Sequence, residues 1–375
     1  MCRSDLELTR GRSITAALGC ALGAFILLFP GCTLPLVEAG LFGMRSESRL
    51  VSGISILWNN GWALLAVLSA AFALVLPFLR FGLLSAVLGA IRLGHRPAWL
   101  GRSFRWAVQL DRWAMPDVFL LGAFVGYYRL ATALNVRIDW GGYCYLAAAF
   151  LAMISRAALD NRTVWRAIGP ETVAPADGRA LSCTTCDLVQ PSSSEGEPCP
   201  RCGATLHTRK PGSLSRTAAL TATAFILFFP ANIFPMNTSM QMGRPTSHTI
   251  FNGVRLLFEA GLWPLGVLIF CTSIAIPMVK IAGLGWCMLS VRRRSKAHLV
   301  AKTRLYRFID EIGRWSNVDP FTIVFFVPLM NFGALASADA AWGATAFMLV
   351  VVLTMLASRT FDPRLMWDAA AEAPA

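Results

Sequence analysis

The sequence predicts an all-α polytopic membrane protein, built from two tandem four-helix units with a small cysteine-rich ribbon between them. Three observations predict this fold. The chain of 375 residues is 55% hydrophobic and only 15% charged, whereas a soluble domain carries about 25% charged residues. Its apolar residues fall into eight long blocks. Much of the second half also repeats the pattern of the first half in the same order.

The eight apolar blocks are candidate membrane-spanning helices, because a spanning helix needs roughly 20 apolar residues. They are residues 14 to 36, 61 to 91, 117 to 135, 142 to 159, 216 to 236, 262 to 290, 319 to 337 and 341 to 357. Arg10 and Arg12 precede the first block, as basic residues precede a secretory signal peptide. An internal copy of this block argues instead that it is a permanent span.

Positive charges in the connections between the blocks give the orientation. Connections 92 to 116 and 291 to 318 are rich in arginine and lysine, whereas those on the opposite side carry few. Lysine and arginine concentrate in cytoplasmic loops. Both termini and the ribbon are therefore predicted to lie in the cytoplasm.

An internal repeat relates the two halves at an offset of two hundred residues. FILLFPGCTLPL at 25 to 36 matches FILFFPANIFPM at 225 to 236, and SRAALDNRTVW at 155 to 165 matches SRTFDPRLMW at 358 to 367. An even number of spans gives both copies the same orientation, which is a recurring layout of transporters. Duplication for stability alone is the alternative interpretation.

The repeat also suggests the domain boundaries. The same offset places Cys2 over Cys202, so the short cytoplasmic N-terminus is interpreted as a remnant of a first ribbon, lost by truncation or in evolution. The predicted segments are an N-terminus of residues 1 to 13, a first repeat of 14 to 166, a ribbon of 180 to 210, a second repeat of 213 to 367 and a tail of 368 to 375.

The ribbon carries the strongest motif, CTTCDLVQPSSSEGEPCPRC at residues 183 to 202. Two Cys-x-x-Cys turns aim four thiolates at one point, which suits tetrahedral Zn²⁺, and four protein ligands make the site structural rather than catalytic. The predicted ligands are Cys183, Cys186, Cys199 and Cys202. Redox-active pairs and two disulfides are the competing interpretations, and a cytoplasmic location disfavours the disulfides.

Ionisable residues inside spans are costly, so they are candidate functional groups. Lys280 lies in the sixth block and Asp319 begins the seventh, where the two could pair, and Arg80 and Asp117 repeat the arrangement in the first half. The alternative is that Lys280 extends to the interface and that Asp319 caps a helix.

Prolines and asparagines mark further candidates. Prolines break or kink helices by removing a backbone hydrogen bond. Six occur in matching pairs: Pro30, Pro35, Pro77, Pro230, Pro235 and Pro277. Asn232, between two of these prolines, and Asn331 in the seventh block are predicted to satisfy polar groups in the membrane.

These motifs together resemble the paraquat-inducible protein A family, the integral membrane subunits of bacterial envelope lipid-transport systems. The matching residues are CTTC, CPRCG, RKPGSLSRTAAL at 209 to 220, FPANIFPM, PMVK at 277 to 280, GRWSNVD at 313 to 319 and SRTFDPRLMW. Family members usually carry a ribbon before each repeat and Pro-Ala-Asn in both repeats, whereas this first repeat has neither.

The resemblance implies transport of phospholipid at the bacterial inner membrane, with a periplasmic, hexameric MCE-domain protein as partner and no nucleic acid. The sequence contains no Walker A motif, so any driving force would be ionic or a lipid gradient. The charged pairs would then form a proton-responsive network. The rival functions are a non-transporting anchor for the partner and a membrane-bound metal or redox sensor. An enzyme is not expected, because no nucleophile and base pair stands out.

Overall fold

The computed structural model describes residues 13–41, 44–131, 135–169, 180–241, 244–330, 332 and 336–372. Two candidates from the sequence, Cys2 and Asn331, lie outside the described residues. The prediction of a remnant ribbon at residues 1 to 13 also falls almost entirely outside them.

The described chain consists of two repeats with the same order of elements. In the first repeat the elements are α1 (Ile14–Thr33), β1 (Val37–Leu41), β2 (Met44–Ser48), α2 (Leu50–Asn59), α3 (Ala63–Ala70), α4 (Leu76–Arg92), α5 (Leu100–Leu110), α6 (Pro116–Ala131), β3 (Asn135–Ile138), α7 (Trp140–Ala158) and α8 (Asn161–Ile168). The ribbon contains β4 (Ala180–Ser182) and β5 (Val189–Pro191).

The second repeat follows the ribbon. Its elements are α9 (Ser213–Ile233), β6 (Asn237–Gln241), β7 (Arg244–His248), α10 (Ile250–Glu259), α11 (Trp263–Phe270), α12 (Ile276–Arg292), α13 (Leu299–Ile312), α14 (Val318–Leu329), β8 (Ala336–Ala340), α15 (Trp342–Thr360) and α16 (Arg364–Ala371). The start of α9 lies at an offset of 199 from α1, and that of α15 at 202 from α7. The predicted duplication is thus present in the fold.

Fewer helices are long and apolar enough to cross a membrane than the eight blocks suggest. In the described chain five qualify, or six if the bent pair α7 and α8 is one span: 14–33, 63–92, 213–233, 263–292 and 342–360, with 140–168 as the bent pair. The third and seventh blocks form the shorter helices α6, of 16 residues, and α14, of 12 residues. These two pack against each other at the centre, where protein can cover a helix that does not match the bilayer.

Each repeat also carries a three-stranded antiparallel sheet that the all-α prediction missed. β1 pairs with β2 and β3, and β6 pairs with β7 and β8. Each sheet begins just after a proline, Pro35 or Pro235. The helical region is disfavoured for the residue before a proline, and Leu34 is accordingly extended at the end of α1. The sheets lie at the end of the helices away from the ribbon, here called the sheet end, and the other end is the ribbon end.

The remaining predicted helix breakers behave differently. Pro30 and Pro230 lie inside α1 and α9 and do not end them, which corrects the prediction. Pro77 and Pro277 are the second residues of α4 and α12. Each follows a five-residue π-helical turn, at 71–75 and 271–275. The wider turn accommodates the proline ring, and such turns frequently occur at functional sites.

The two repeats meet along α6 and α14. A Cβ atom at Gly122 would lie 2.9 Å from the carbonyl oxygen of Val318, and one at Gly126 would lie 2.7 Å from the Phe325 ring. Thr322 also donates to the carbonyl oxygen of Gly122 over 3.2 Å. Small residues four positions apart allow helices to approach closely in membranes, so this pair of glycines sets the inter-repeat contact.

Candidate functional site

Four cysteines form a compact cluster in the ribbon. The Sγ atoms of Cys183 and Cys202 are 3.6 Å apart, as are those of Cys186 and Cys199. All four ligand atoms lie within 4.8 Å of one another, and all four residues are buried. Tetrahedral Zn–S bonds of 2.3 Å place sulfur atoms about 3.8 Å apart. The cluster can therefore hold a metal ion.

Backbone turns hold the four thiols in place. The amide of Cys183 donates to Leu188 O over 2.9 Å, and that of Cys199 donates to Ala204 O over 2.7 Å. Gly203, after the second pair, has a φ of 67°, which a residue without Cβ adopts easily. The geometry fits four ligands converging on one centre.

The ribbon contacts both repeats. Its second knuckle lies on α5 of the first repeat, where a Cβ atom at Gly101 would be only 1.8 Å from Arg201 O. Its far end reaches α16 of the second repeat, where Arg209 Nε and Nη2 donate to the Asp368 carboxylate over 2.6 and 2.9 Å. The ribbon thus bridges the two repeats at the ribbon end.

A network of five charged side chains joins four residues of the first repeat to Arg314 of the second. Arg80 Nη2 lies 2.5 Å from Asp111 Oδ1, and Arg156 binds both Asp111 and Asp117 over 2.8 Å. Arg314 of the second repeat lies 3.6 Å from Asp117. Burial would raise the pKa of Asp111, but Arg80 and Arg156 outweigh it and hold that pKa below its usual range. Arg80 and Asp117 thus share a network without pairing directly.

Lys280 and Asp319 do not form the expected pair. Lys280 is fully buried, and its Nζ donates to Gly313 O over 3.4 Å. Asp319 instead accepts a hydrogen bond from Ser273 in the π-helical turn. Ser273 precedes Lys280 by seven residues, which is about 10 Å along a helix at 1.5 Å per residue. The two charged groups therefore lie at different depths.

Asp319 lies where the two repeats meet. Arg129 of α6 interacts electrostatically with it, and both residues line one small cleft with Asn237 and His248. His248 lies outside the helices, and burial together with Arg129 lowers its pKa. The site around Asp319 thus combines the π-helical turn, α14 and the first repeat.

Asn232 has a local role in the structure. Its Nδ2 donates to Phe228 O over 2.8 Å, whereas the carbonyl that Pro230 leaves without its helical partner is that of Ile226. The equivalent first-repeat residue, Cys32, is buried. Asn232 thus supplies a side-chain hydrogen-bond donor to a backbone carbonyl near the end of α9.

The comparisons with known proteins agree with the duplicated architecture. The family described as paraquat-inducible protein A matches residues 14–169 and 214–371, which correspond to the two repeats. The chain belongs to the paraquat-inducible protein A family. The apolar helices and the family membership identify it as a membrane protein.

Curated members of the paraquat-inducible protein A family resemble nearly the whole chain. The "Intermembrane transport protein PqiA" of Escherichia coli is 30% identical over 93% of this chain and 85% of its own length. The "Lipophilic envelope-spanning tunnel protein A" of the same species is 26% identical over 98% of this chain and 85% of its own length. The "Probable intermembrane transport protein" of Haemophilus influenzae is 24% identical over 92% of this chain and 84% of its own length. No solved structure matches the chain.

Sequence reasoning in this family member missed the true neighbours of Asp319. Arg129 falls near the end of the third apolar block, and Ser273 is one small polar residue within the sixth. The signal that could have identified Ser273 is its position four residues before Pro277, where a helix loses its regular hydrogen bond. Arg129 could have been identified as an arginine within an apolar block.

Proposed function

We propose that this chain is the membrane subunit of a system that moves phospholipid between the two membranes of a bacterial envelope. The names of two relatives, which describe intermembrane transport, support a role in envelope transport. The parallel duplication supports it too, because such repeats recur in transporters. The finer assignments of lipid and partner rest on the family resemblance and on the buried site.

The observation that carries the proposal is the environment of Asp319. This carboxylate is buried, bonded by Ser273 and close to Arg129 of the other repeat. Ionisable residues at membrane depth mark ion and substrate pathways. A change in the charge of Asp319 would alter its attraction to Arg129 and hence the contact between the repeats. We propose that this group couples an ionic driving force to movement of lipid.

The proposed setting is the bacterial inner membrane. Both termini and the ribbon lie in the cytoplasm, and α6 and α14 complete eight membrane-entering segments. A hexameric periplasmic MCE-domain protein binds at the sheet end and exchanges phospholipid with the subunit. The chain binds no nucleic acid and catalyses no reaction.

The proposed metal is a structural zinc ion. Cys183, Cys186, Cys199 and Cys202 would hold it, and four thiolates leave no open position for catalysis. When bound, the ion stabilises the ribbon, whose insert SSSEGE has no apolar side chains for a core. The ribbon's contacts with α5 and α16 then keep the two repeats in register.

The test is lipid exchange between membranes by cells that carry charge-neutral variants. Asp319→Asn and Lys280→Met are expected to reduce exchange while the protein remains abundant. Glu259→Gln is the matched control, because that carboxylate lies in an exposed ion pair with Arg255. Unchanged exchange in both buried variants would show that the polar-network mechanism is wrong.

The two rival functions give different outcomes. An anchor that only seats the partner would tolerate Asp319→Asn as long as the complex assembles. A metal or redox sensor would lose signalling in Cys183→Ser while the protein stays folded and abundant, whereas structural zinc predicts that the protein itself is lost.

A further inference from the structure

The first repeat contains a narrow apolar slot between α6 and α7, with a volume of about 440 Å³. Along α6 it runs from Asp117 to Tyr127, and along α7 from Gly142 to Met153. Ten residues of helix span about 15 Å. This length equals half of the 30 Å hydrocarbon core of a bilayer, so the slot has the reach of one acyl chain in one leaflet.

The slot opens sideways toward the surrounding membrane. Its floor is formed by buried residues such as Phe119, Tyr145 and Ala149, whereas Phe124 and Phe150 on its rim are each 51% exposed. A protein interior is normally close-packed. An apolar slot that opens at the surface of a membrane protein therefore suits a hydrocarbon chain.

The second repeat carries a larger side chain at one position that matches the floor of the slot. At the offset of 202 residues, Phe347 and Val351 of α15 correspond to Tyr145 and Ala149 of α7. All four residues are buried. Alanine at position 149 therefore leaves more room beside α7 than valine at position 351 leaves beside α15.

The two ends of the slot differ in chemistry. The sheet end is lined by Leu36, Val37 and Ile138. Asp117 lies at the ribbon end and is only 7% exposed. Its Oδ2 is bound by Arg156, but its Oδ1 has no hydrogen-bond partner among the described residues. Leaving a buried acceptor unsatisfied is costly, so a donor is expected at this end.

The charge network beside Asp117 has one positive charge in excess. Contacts of 3.6 Å or less link three arginines and two aspartates: Arg80, Asp111, Arg156, Asp117 and Arg314. Arg314 lies beside Trp315, which itself lines the slot, with 5.7 Å between the guanidinium carbon and the ring centre. One phosphodiester would balance the network.

We propose that the slot binds one acyl chain of an anionic phospholipid, whose headgroup lies at the ribbon end and donates a hydroxyl hydrogen bond to Asp117. This inference rests on the proposed function. It adds the end of the protein at which lipid enters and the class of headgroup that the lipid carries. Phosphatidylglycerol has both required features, a single negative charge and hydroxyl donors. Phosphatidylcholine has neither a net charge nor a headgroup donor.

The experiment measures lipid bound to the full-length protein by native mass spectrometry, after exchange into detergent with either lipid in matched chain lengths. Phosphatidylglycerol is expected to be retained about tenfold better than phosphatidylcholine, equal to roughly 1.4 kcal/mol. Arg314→Gln removes the excess positive charge of the network and is expected to reduce that preference at least threefold. Equal retention of the two lipids by the unaltered protein would overturn the headgroup assignment.

A second pair of variants tests the slot itself and does not depend on Asp117. Ala149→Leu fills the floor of the slot and is expected to lose most of the retained lipid. Ala147→Leu, on the same helix but outside the slot, is the matched control and is expected to retain it. Equal retention by both variants would overturn the slot assignment.

Lipid exchange in cells, measured on the same variants, separates this inference from the proposed function. Normal retention of lipid with no exchange by the unaltered protein would contradict the function and leave the site in place. No preferential retention, with exchange still sensitive to Asp319→Asn, would contradict the site and leave the function in place.

Discussion

Arg80 and Lys280 occupy equivalent positions in the two repeats and reach equivalent partners. Arg80 binds Asp111, whereas Lys280 donates to the carbonyl oxygen of Gly313. Gly313 corresponds to Asp111 at the offset of 202 residues. The cation at this position therefore binds a carboxylate in the first copy and only a backbone oxygen in the second. The interaction is stronger in the first copy.

Replacing Arg80 should be costly. Arg80→Met removes the closest cation of Asp111, which is partly exposed and keeps Arg156 at 2.8 Å, so the free energy of unfolding should fall by about 2 kcal/mol. Arg255→Met breaks an exposed pair with Glu259, which should change the free energy of unfolding by about 1 kcal/mol or less. Unfolding of the purified protein in mixed detergent measures both values. Equal losses in the two variants would contradict the assignment of Arg80 as a buried partner.

The ribbon should contain one zinc ion per chain. Cys199→Ser removes one of four thiolates, so metal content and protein abundance should both fall because the ribbon depends on the metal for its fold. Metal analysis of the purified protein measures this. Cys271→Ser, at an exposed cysteine in the π-helical turn, is the control and should keep the metal. A metal-free but fully abundant Cys199→Ser protein would argue against a structural role.

Gly101 should be required for docking of the ribbon on the first repeat. An added Cβ would lie 1.8 Å from Arg201 O, so Gly101→Ala should displace the ribbon and expose the peptide bond after Arg209 to trypsin. Gly89→Ala is the control, because nothing lies within 4 Å of an added Cβ there. That change should stabilise α4 by up to about 1 kcal/mol. Equal trypsin cleavage in both variants would contradict the docked arrangement.

The contact of the ribbon with the second repeat should weaken in acid. The hydrogen bonds from Arg209 lower the pKa of Asp368. The folded state thus binds the proton less readily than the unfolded state, so the contribution of this pair is present above about pH 4 and is lost as the pH falls through the folded pKa. Trypsin is inactive there, so pepsin cleavage of the ribbon measures the change. The rise in cleavage as the pH falls should be smaller for the Asp368→Asn protein than for the unaltered protein; an equal rise in both would assign the effect to another group.

Sequence patterns predicted the features that depend on local composition. The cysteine spacing placed Cys183 and Cys202 in one cluster, and the matching FP motifs placed both copies of the repeat in register. These features follow from residues close in sequence or from direct repetition. They needed no knowledge of how the helices pack.

The partners of the charged residues could not be predicted in the same way. Pairing Lys280 with Asp319 depended on how the sixth and seventh blocks pack against each other, and the π-helical turn brings Ser273 to Asp319 instead. The sheets were missed because β6 and β7, NTSMQ and RPTSH, are short and polar and resemble loops. Their pairing with β8, almost 100 residues away, is a tertiary contact.

The two π-helical turns occupy matching positions, 71–75 and 271–275, although their sequences AFALV and CTSIA share only one residue type. A wider turn kept in register across such different sequences was already present before the gene duplicated. The ancestral unit would then have worked as a symmetric pair of identical chains. Fusion into one chain allows the two copies to differ at this position, with Ser273 in one and Ala73 in the other, so the polar site is one-sided.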